Sequence, residues 1–263
     1  LNLSLNLDED GKVKNDYTIN GLVKNGNIDL LNQGKLEKIN FDFNLKKDDY
    51  IFNQINFRFQ NIKFNSDKLK IKKKKDIFLI KGSINNNQSS LDNSLLQLLN
   101  LDFKNYNIKD VKFKSKNNFT LEIDNKFKIN NVVLNSDLYI AQLKYKRPEI
   151  VQSYILNTND FILLEDHKLN LNYKKNNLIV SGEGKIQLDE EKSKIKYLIN
   201  KNNEDLDIKT ELLISNINLK KQDFLKIYFP QMSETINFSN QKIKIDYKNK
   251  DLSISGSGKF KVH

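Results

Sequence analysis

A strict alternation of apolar and polar residues is the feature that most constrains how this chain can fold. In the run INFDFNL, the residues Ile39, Phe41, Phe43 and Leu45 alternate with three polar residues. Because successive side chains of a strand point to opposite faces, the pattern predicts strands with one apolar face and one wet face. The same alternation recurs at Ile55, Phe57 and Phe59, at Leu169, Leu171 and Tyr173, and at Ile243, Ile245 and Tyr247.

The alternating runs are separated by short polar clusters, which predict turns. These clusters are DEDGK (8–12), KNGN (24–27), KKDD (46–49), KKNN (174–177) and KNKD (248–251). Parallel strands buried on both faces would read as continuous apolar runs instead. The prediction is therefore an all-β dominated fold, an elongated and curved antiparallel sheet of roughly a dozen or more strands.

Three stretches have helical rather than alternating spacing. The first places Leu91, Leu95, Leu98 and Leu99 behind a possible N-cap at Ser90. The second, RPEIVQSYIL, begins after Arg147, and the third, KKQDFLKIYFP, ends at Pro230. We expect about three short amphipathic helices that cover an end or an edge of the sheet, or that serve as a lid or partner contact.

The chain repeats part of its own sequence. The segment 169–188 (LNLNYKKNNLIVSGEGKIQL) returns 74 residues later as 243–262, and a weaker copy lies near 69–84. Each unit is predicted to be a hairpin whose second strand carries a glycine, where a bulge or a close approach of backbones is expected. Repetition fits a one-sided sheet, because stacked hairpins extend one apolar surface. The repeat glycines are Gly82, Gly182, Gly184, Gly256 and Gly258.

Composition argues against most kinds of chemistry. The net charge is +11, but Arg58 and Arg147 are the only arginines, whereas base readout and bidentate phosphate binding favour arginine. Without cysteine there are no disulfides or thiolate metal sites, and His167 lies far from His263. The SGEGK sequence lacks the loop length and the following helix of a phosphate-binding loop. We therefore expect no enzyme, no cofactor, no metal and no nucleic-acid partner.

The hairpin repeats, their glycines and the segment LLISNINLKKQDFLKIYFPQ (212–231) resemble the AsmA-like superfamily of bacterial envelope proteins, specifically its YhdP and TamB group. The resemblance implies a repeating β-groove that carries phospholipid between the inner and outer membranes. It also implies a periplasmic location in a Gram-negative cell envelope, with an inner-membrane anchor outside this segment. Because the chain opens at Leu1 within a strand, we interpret residues 1–263 as one continuous β-repeat segment of a longer protein.

On this interpretation phospholipid acyl chains are the partner and the apolar face is the groove. Two alternatives remain open: a structural or adhesive β-repeat module with a closed core, and an outer-membrane β-barrel with its apolar face toward lipid. The residues predicted to line the groove are Ile39, Phe41, Phe43, Leu45, Phe57, Phe59, Leu169, Leu171, Tyr173, Ile243, Ile245 and Tyr247.

Overall fold

The computed structural model describes residues 2–12, 14, 16–30, 34–91, 109–155 and 160–261. These residues contain fourteen strands and two helices. The strands are β1 Asn2–Ser4, β2 Thr18–Asp29, β3 Lys35–Lys46, β4 Asp49–Phe59, β5 Ile62–Lys74, β6 Ile77–Leu91, β7 Lys109–Asp124, β8 Ile129–Lys146, β9 Phe161–Lys174, β10 Asn177–Gln187, β11 Lys192–Asn202, β12 Asp205–Lys220, β13 Thr235–Lys248 and β14 Asp251–Lys261. The helices are α1 Glu149–Tyr154 and α2 Asp223–Tyr228.

The fourteen strands form one antiparallel sheet in which every strand lies beside its neighbours in sequence. This confirms the predicted fold class. Short connections explain the order, because two-residue turns such as Lys175–Asn176 and Asn249–Lys250 bring consecutive strands directly together. All four of these residues have positive φ, as a type I′ hairpin turn requires.

The chain divides into two compact units. Unit 1 comprises Leu1–Ser89, Lys114–Leu138 and Leu171–Asn176, and unit 2 comprises Ser90–Phe113, Tyr139–Asn170 and Asn177–His263. Each unit is described by itself below.

In unit 1 the apolar face is rich in phenylalanine. Phe43 lies opposite Phe52, and Phe57 lies opposite Phe64. The rings of Phe57 and Phe64 stack with their centroids 5.2 Å apart, and Phe41 meets Phe52 edge-on at 5.5 Å. Such cross-strand aromatic pairs stabilise a sheet beyond the area that they bury.

In unit 2 the two faces of β10–β13 differ sharply. The apolar face holds Ile195 opposite Leu212, which in turn lies opposite Ile243. The other face carries ion pairs between neighbouring strands, Lys196 with Glu183 and Lys242 with Glu211. The alternation seen in the sequence therefore separates an apolar face from a wet face, as expected.

A small buried cluster lies where α1 ends. Ile155 follows the helix and packs with Ile214 and Ile217 of β12, and Val151 of α1 adds to the contact. The second predicted helix thus covers part of the sheet in unit 2, with Pro148 as its N-cap residue. In α2, by contrast, Phe224, Ile227 and Tyr228 are exposed.

Two of the three expected helices lie within the described residues. The first predicted helix, SSLDNSLLQLLN (89–100), falls mainly on residues 92–100, which lie outside the described part of the chain. Its proposed N-cap, Ser90, and the following Leu91 instead end β6. A strand that continues to Leu91 leaves no cap at Ser90.

One predicted turn is a bulge. The KNGN sequence (24–27) lies inside β2, where Asn25 has φ 53° and the pairing with β3 shifts between Val23 and Gly26. The Asn25 backbone N–H donates to the side chain of Asn40 on β3 at 3.0 Å. Asn and Gly adopt positive φ in bulges as readily as in turns, which explains why the sequence predicted a turn at this position.

The lysine run Lys70–Lys75 occupies the end of β5 and the turn that follows it, in unit 1. Lys70, Lys72 and Lys74 share the wet face with Lys81 of β6 around a shallow depression of about 380 Å³. Lys70 also pairs with Asp49 at 2.9 Å.

Candidate functional site

The apolar face of unit 1 is a continuous ladder across β2–β6. Ile19, Leu45, Tyr50 and Ile71 face one another in successive strands. A second ladder lies two residues further along the strands, where the residues that face one another are Phe43, Phe52, Leu69 and Gly82. Register therefore places Phe43 and Leu45, two of the predicted residues of β3, in cross-strand ladders with residues of neighbouring strands.

The apolar face of unit 2 is a second ladder, across β12–β14. Tyr247 lies between Ile208 and Leu252, and Ile245 lies between Thr210 and Ile254. Ile243 lies between Leu212 and Gly256. The three predicted residues of β13 thus point the same way, each with neighbours on both sides.

The predicted lining residues are only partly shielded from solvent. Of the twelve, Ile39 is buried and the other eleven are half-buried. Side chains between two packed layers are usually almost fully buried. A face of half-buried aromatic and aliphatic side chains is instead a surface that can still receive an apolar ligand.

A structural motif of three residues accompanies the sequence repeat. In β9, Asp166 has φ 54° and is followed by His167, which lies over Gly184 of β10. In β13, Asn240 has φ 51° and is followed by Gln241, which lies over Gly258 of β14. All three positions match at the 74-residue offset.

The same hydrogen bond fixes the motif in both copies. His167 Nε2 lies 2.9 Å from the carbonyl oxygen of Lys185, and Gln241 Nε2 donates to the carbonyl oxygen of Lys259 at 2.6 Å. In both copies a residue with positive φ is followed by a polar side chain that lies across the partner strand. A Cβ at Gly184 would overlap the His167 ring, and one at Gly258 would overlap the Gln241 amide. Glycine is needed there because the side chain occupies its space.

The earliest copy has the bulge without the glycine. Between the pairs Asn65–Asn85 and Leu69–Gly82, three residues of β5 face two residues of β6. Ile84 stands where the later copies have Gly184 and Gly258.

The glycines two residues before these positions each lie opposite an apolar or aromatic residue of a neighbouring strand. Gly82 lies opposite Leu69, and Gly256 lies opposite the equivalent residue Ile243. Gly182 lies opposite Tyr197 on β11, and the Tyr197 ring covers it so closely that a Cβ would be 2.5 Å from Cζ. Gly182 therefore accommodates the Tyr197 ring, whereas at Gly256 the nearest side-chain atom to a Cβ would be Ile243 Cγ1, at 3.8 Å.

His167 is the most deeply buried titratable ring of the described residues, with 2% of its surface exposed. Because Nε2 faces a carbonyl oxygen, it carries the proton, and Nδ1 accepts from the Tyr197 hydroxyl at 3.3 Å. Burial lowers the pKa of His167, against smaller opposing effects of the Lys185 carbonyl and Asp166. Burial therefore favours the neutral ring, and its protonation should make the stability of the protein depend on pH.

An exposed polar junction lies beside His167. The Asp166 carboxylate accepts from Lys185 Nζ and from the Tyr139 hydroxyl, both at 2.8 Å. Lys185, and after it Tyr139, lower the pKa of Asp166. The hydrogen bond to Asp166 raises the pKa of Tyr139.

We expect the stability of the protein to fall below about pH 6.5 because of His167. Unfolded histidine titrates near 6.5, and the folded pKa is lower, so the unfolded state takes up the proton first as the pH falls. The stabilising contribution is complete above that pH and is lost progressively toward the folded-state pKa. Urea unfolding at several pH values measures the effect.

The matched variant for this prediction is His167→Gln, which copies the residue at the equivalent position 241. It keeps a donor for the Lys185 carbonyl but cannot titrate, while Asp166, Lys185 and Tyr197 are unchanged around it. The wild type should lose more stability than His167→Gln between pH 7.5 and pH 5.5. Equal losses would show that His167 does not control this part of the pH profile.

In unit 1 a polar cluster interrupts the apolar face, and sequence reasoning missed it. Asn117 donates to the carbonyl oxygen of Ile84 and to Ser115 Oγ, each at 2.8 Å, and Ser136 Oγ donates to Asn117 at 2.5 Å. Ser115 also hydrogen-bonds the buried Asn86. The sequence did contain a signal for this cluster, because Ser115 and Asn117 occupy positions of β7 at which the alternation predicts apolar residues.

A second missed feature is a buried arginine in unit 2. Arg147 is 2% exposed, and its Nη2 donates to the carbonyl oxygen of Leu188 at 2.8 Å. It lines a cavity of about 340 Å³ with acidic residues that include Asp160 and the buried Asp189. Lys144 and Asp110, joined by an ion pair at 2.7 Å, line the same cavity.

Within the described ranges, no three His, Asp or Glu side chains are grouped so that they could hold a metal ion. Neither described helix is long and apolar enough to cross a membrane. Comparison with protein families, with curated proteins and with solved structures gave no match for this chain.

Proposed function

We propose that this chain is a segment of an AsmA-like cell-envelope protein of the YhdP and TamB group, and that its apolar face carries phospholipid acyl chains between the inner and outer membranes. The observation that supports the proposal is the partial burial of the apolar ladders in each unit. Eleven of the twelve residues predicted to line the groove keep surface available to a ligand. The wet face, with its lysines and ion pairs, would face the periplasm.

The energetics favour an apolar occupant. Each CH₂ group removed from water contributes about 0.8 kcal/mol, so an acyl chain gains from every step along an apolar ladder. The ladder in unit 2 offers Ile243, Ile245 and Tyr247 at intervals of about 7 Å along β13. No catalytic group is required, because transport along such a face needs only continuity.

The polar cluster at Asn117 is compatible with this function. Its hydroxyl and amide groups are neutral and hydrogen-bond one another. A satisfied neutral network costs an adjacent acyl chain far less than a charge would. Its position in unit 1 would make it a point of weaker lipid contact.

A charge in the path tests the proposal. We expect Ile245→Glu to remain folded, because Ile245 is half-buried beside Thr210, and to lower photo-crosslinking to a diazirine phospholipid by at least about tenfold. The readouts are thermal unfolding and the crosslinked fraction, together with native mass spectrometry of phospholipid that co-purifies. Leu171→Glu repeats the test in unit 1.

The matched control is Ser255→Glu, which adds the same charge to the wet face opposite Lys244. It should leave crosslinking unchanged. Failure of Ile245→Glu to fold would favour the alternative of a closed β-repeat module, since a charge in a filled core costs several kcal/mol. A folded Ile245→Glu protein that crosslinks lipid normally would remove Ile245 from any lipid path.

A further inference from the structure

The wet face of unit 1 carries a concentrated group of lysines on the β5–β6 hairpin. Lys70, Lys72 and Lys74 alternate along β5, about 7 Å apart, and Lys81 of β6 lies directly opposite Lys70. These four side chains, here called the lysine patch, line a shallow depression of about 380 Å³ together with Leu79. The patch therefore gathers four positive charges on one side of two neighbouring strands.

The charges of the lysine patch are poorly balanced within the protein. Asp49 of β4 pairs with Lys70 at 2.9 Å, but none of the ion pairs among the described residues involves Lys72, Lys74 or Lys81. The pair formed by Lys70 and Lys81 is itself unfavourable, because like charges directly opposite each other destabilise a sheet. The stability of the hairpin does not explain this arrangement.

Lysines on the wet face of unit 2 are arranged differently. Lys196 lies 3.3 Å from Glu183, and Lys242 lies 3.1 Å from Glu211, in each case between neighbouring strands. A solvated strand face in this protein can therefore interleave lysines with carboxylates. The lysine patch lacks that balance, and its charge is complementary to an anionic partner from outside the chain.

An anionic phospholipid surface matches the lysine patch better than a nucleic acid does. The patch contains no arginine, the residue that phosphate clamps and base readout favour. Its lysines alternate across the hairpin with half-buried apolar side chains, since Leu79 lies opposite Lys72 and Ile77 lies opposite Lys74. Segments that bind at a membrane surface combine these two features, because lysines attract the headgroups and apolar side chains enter the interface.

We propose that the lysine patch docks unit 1 onto a membrane surface that contains anionic phospholipid. The ammonium groups lie against the headgroup phosphates, and Leu79 and Ile77 enter the interface between them. Because the attraction is electrostatic, binding weakens as the salt concentration rises. The docking surface lies on the wet face, so it is distinct from the apolar face that the proposed function assigns to acyl chains.

Co-sedimentation with vesicles tests the docking surface. The protein should bind vesicles of mixed phosphatidylcholine and phosphatidylglycerol more tightly than vesicles of phosphatidylcholine alone. Each lysine near an anionic surface strengthens binding by about fivefold, so Lys72→Gln, Lys74→Gln and Lys81→Gln in one variant should weaken binding by about a hundredfold. The three side chains are exposed, so this variant should fold, which circular dichroism checks.

The matched control combines Lys194→Gln, Lys209→Gln and Lys244→Gln. It removes three exposed charges from the wet face of unit 2, where Lys209 lies opposite Asp246 and Lys244 lies opposite Glu211. The two triple variants have the same net charge, so the comparison separates the lysine patch from the general attraction of a basic protein. The control should bind nearly as the wild type does, and equal losses in both variants would overturn the proposal.

A tryptophan reporter tests whether the hairpin itself meets the membrane. The protein has no tryptophan, so Leu79→Trp introduces a single indole beside Lys72. Its emission should shift to the blue on vesicle binding and should be quenched by brominated phospholipid, because the ring enters the interface. Leu198→Trp is the control, an exposed position opposite Lys209 on the wet face of unit 2, and its emission should not change.

Several outcomes would overturn docking by the lysine patch. These are equal binding to both kinds of vesicle, equal binding by the wild type and the Lys72, Lys74 and Lys81 variant, or equal spectral changes for the two tryptophan variants. Release of the vesicles by inorganic phosphate at constant ionic strength would show that free phosphate is the ligand instead. Tighter binding to a DNA oligonucleotide than to the vesicles would favour a nucleic acid. Crosslinking of Ile245→Glu is a separate readout, so failure of docking and failure of the lipid path are distinguishable.

Discussion

Replacement of Gly184 by alanine is expected to lower the free energy of unfolding by about 3 kcal/mol. The new Cβ would lie 2.5 Å from Cγ of His167, far closer than two carbon atoms can approach. His167 cannot easily move, because the ring is 2% exposed and is held by Lys185 and Tyr197. The loss in the free energy of unfolding therefore combines two effects, overpacking and weakened hydrogen bonds. Denaturant unfolding followed by circular dichroism measures the loss.

Two comparisons isolate the cause of this effect. Gly256→Ala adds the same methyl group to a strand of the same repeat, but without a close neighbour, and should change stability by less than about 0.5 kcal/mol. In a double-mutant cycle, His167→Ala should relieve the clash, so the double variant should be more stable than the sum of the single changes predicts. Strict additivity would mean that the His167 ring is not what excludes a side chain at Gly184.

The sequence alone predicted the sheet because the information needed is local. A strand with one apolar and one wet face requires only that every second residue be apolar, and residues 39–45 and 243–247 satisfy this requirement. Short turns then make consecutive strands neighbours, as in the order β1 to β14.

The repeat was visible in the sequence, but the reason for its glycines was not. The offset aligned Gly184 with Gly258, whereas their role depends on His167 and Gln241 in the partner strands. Those two side chains differ chemically and have no common sequence signature. Only the structure, with a positive φ at each preceding residue, shows that both side chains lie over a glycine.

The features that escaped prediction depend on residues far apart in sequence. The sequence around Asn25 was predicted to be a turn, because bulges and turns use the same residue types. Ser115 and Asn117 break the apolar series of β7, but their partners Asn86 and Ser136 lie on other strands. A local pattern shows that a polar residue lies on the apolar face but does not show what satisfies it.

Arg147 is the clearest case of such long-range dependence. It stands between charged residues and a proline, in KYKRPE, a context typical of an exposed loop. Its burial depends on Leu188, at the end of the β10 repeat, whose carbonyl oxygen accepts from Arg147 Nη2. The arginine backbone N–H also donates to the carbonyl oxygen of Asp160 at 2.8 Å, which fixes the start of the segment leading to α1.

Replacement of Arg147 by alanine is therefore expected to destabilise the protein by about 3 kcal/mol or more. The change removes a charged hydrogen bond, enlarges a cavity of about 340 Å³ and leaves the buried Asp189 beside it with less positive charge nearby. Arg147→Lys should recover only part of the loss, because an ammonium group cannot reproduce the planar array of guanidinium donors. Unfolding in urea measures both variants.

Lys144→Ala provides the control from the same cavity. Its side chain is 39% exposed, and its ion pair with Asp110 should be worth less than about 1 kcal/mol. If Arg147→Ala cost no more than Lys144→Ala, the arginine would act as a surface charge. A large loss confined to Arg147 would instead show that a buried cation links the repeat hairpin to the segment before α1. The buried arginine would then stabilise the one-sided sheet in a way that its half-buried apolar face does not.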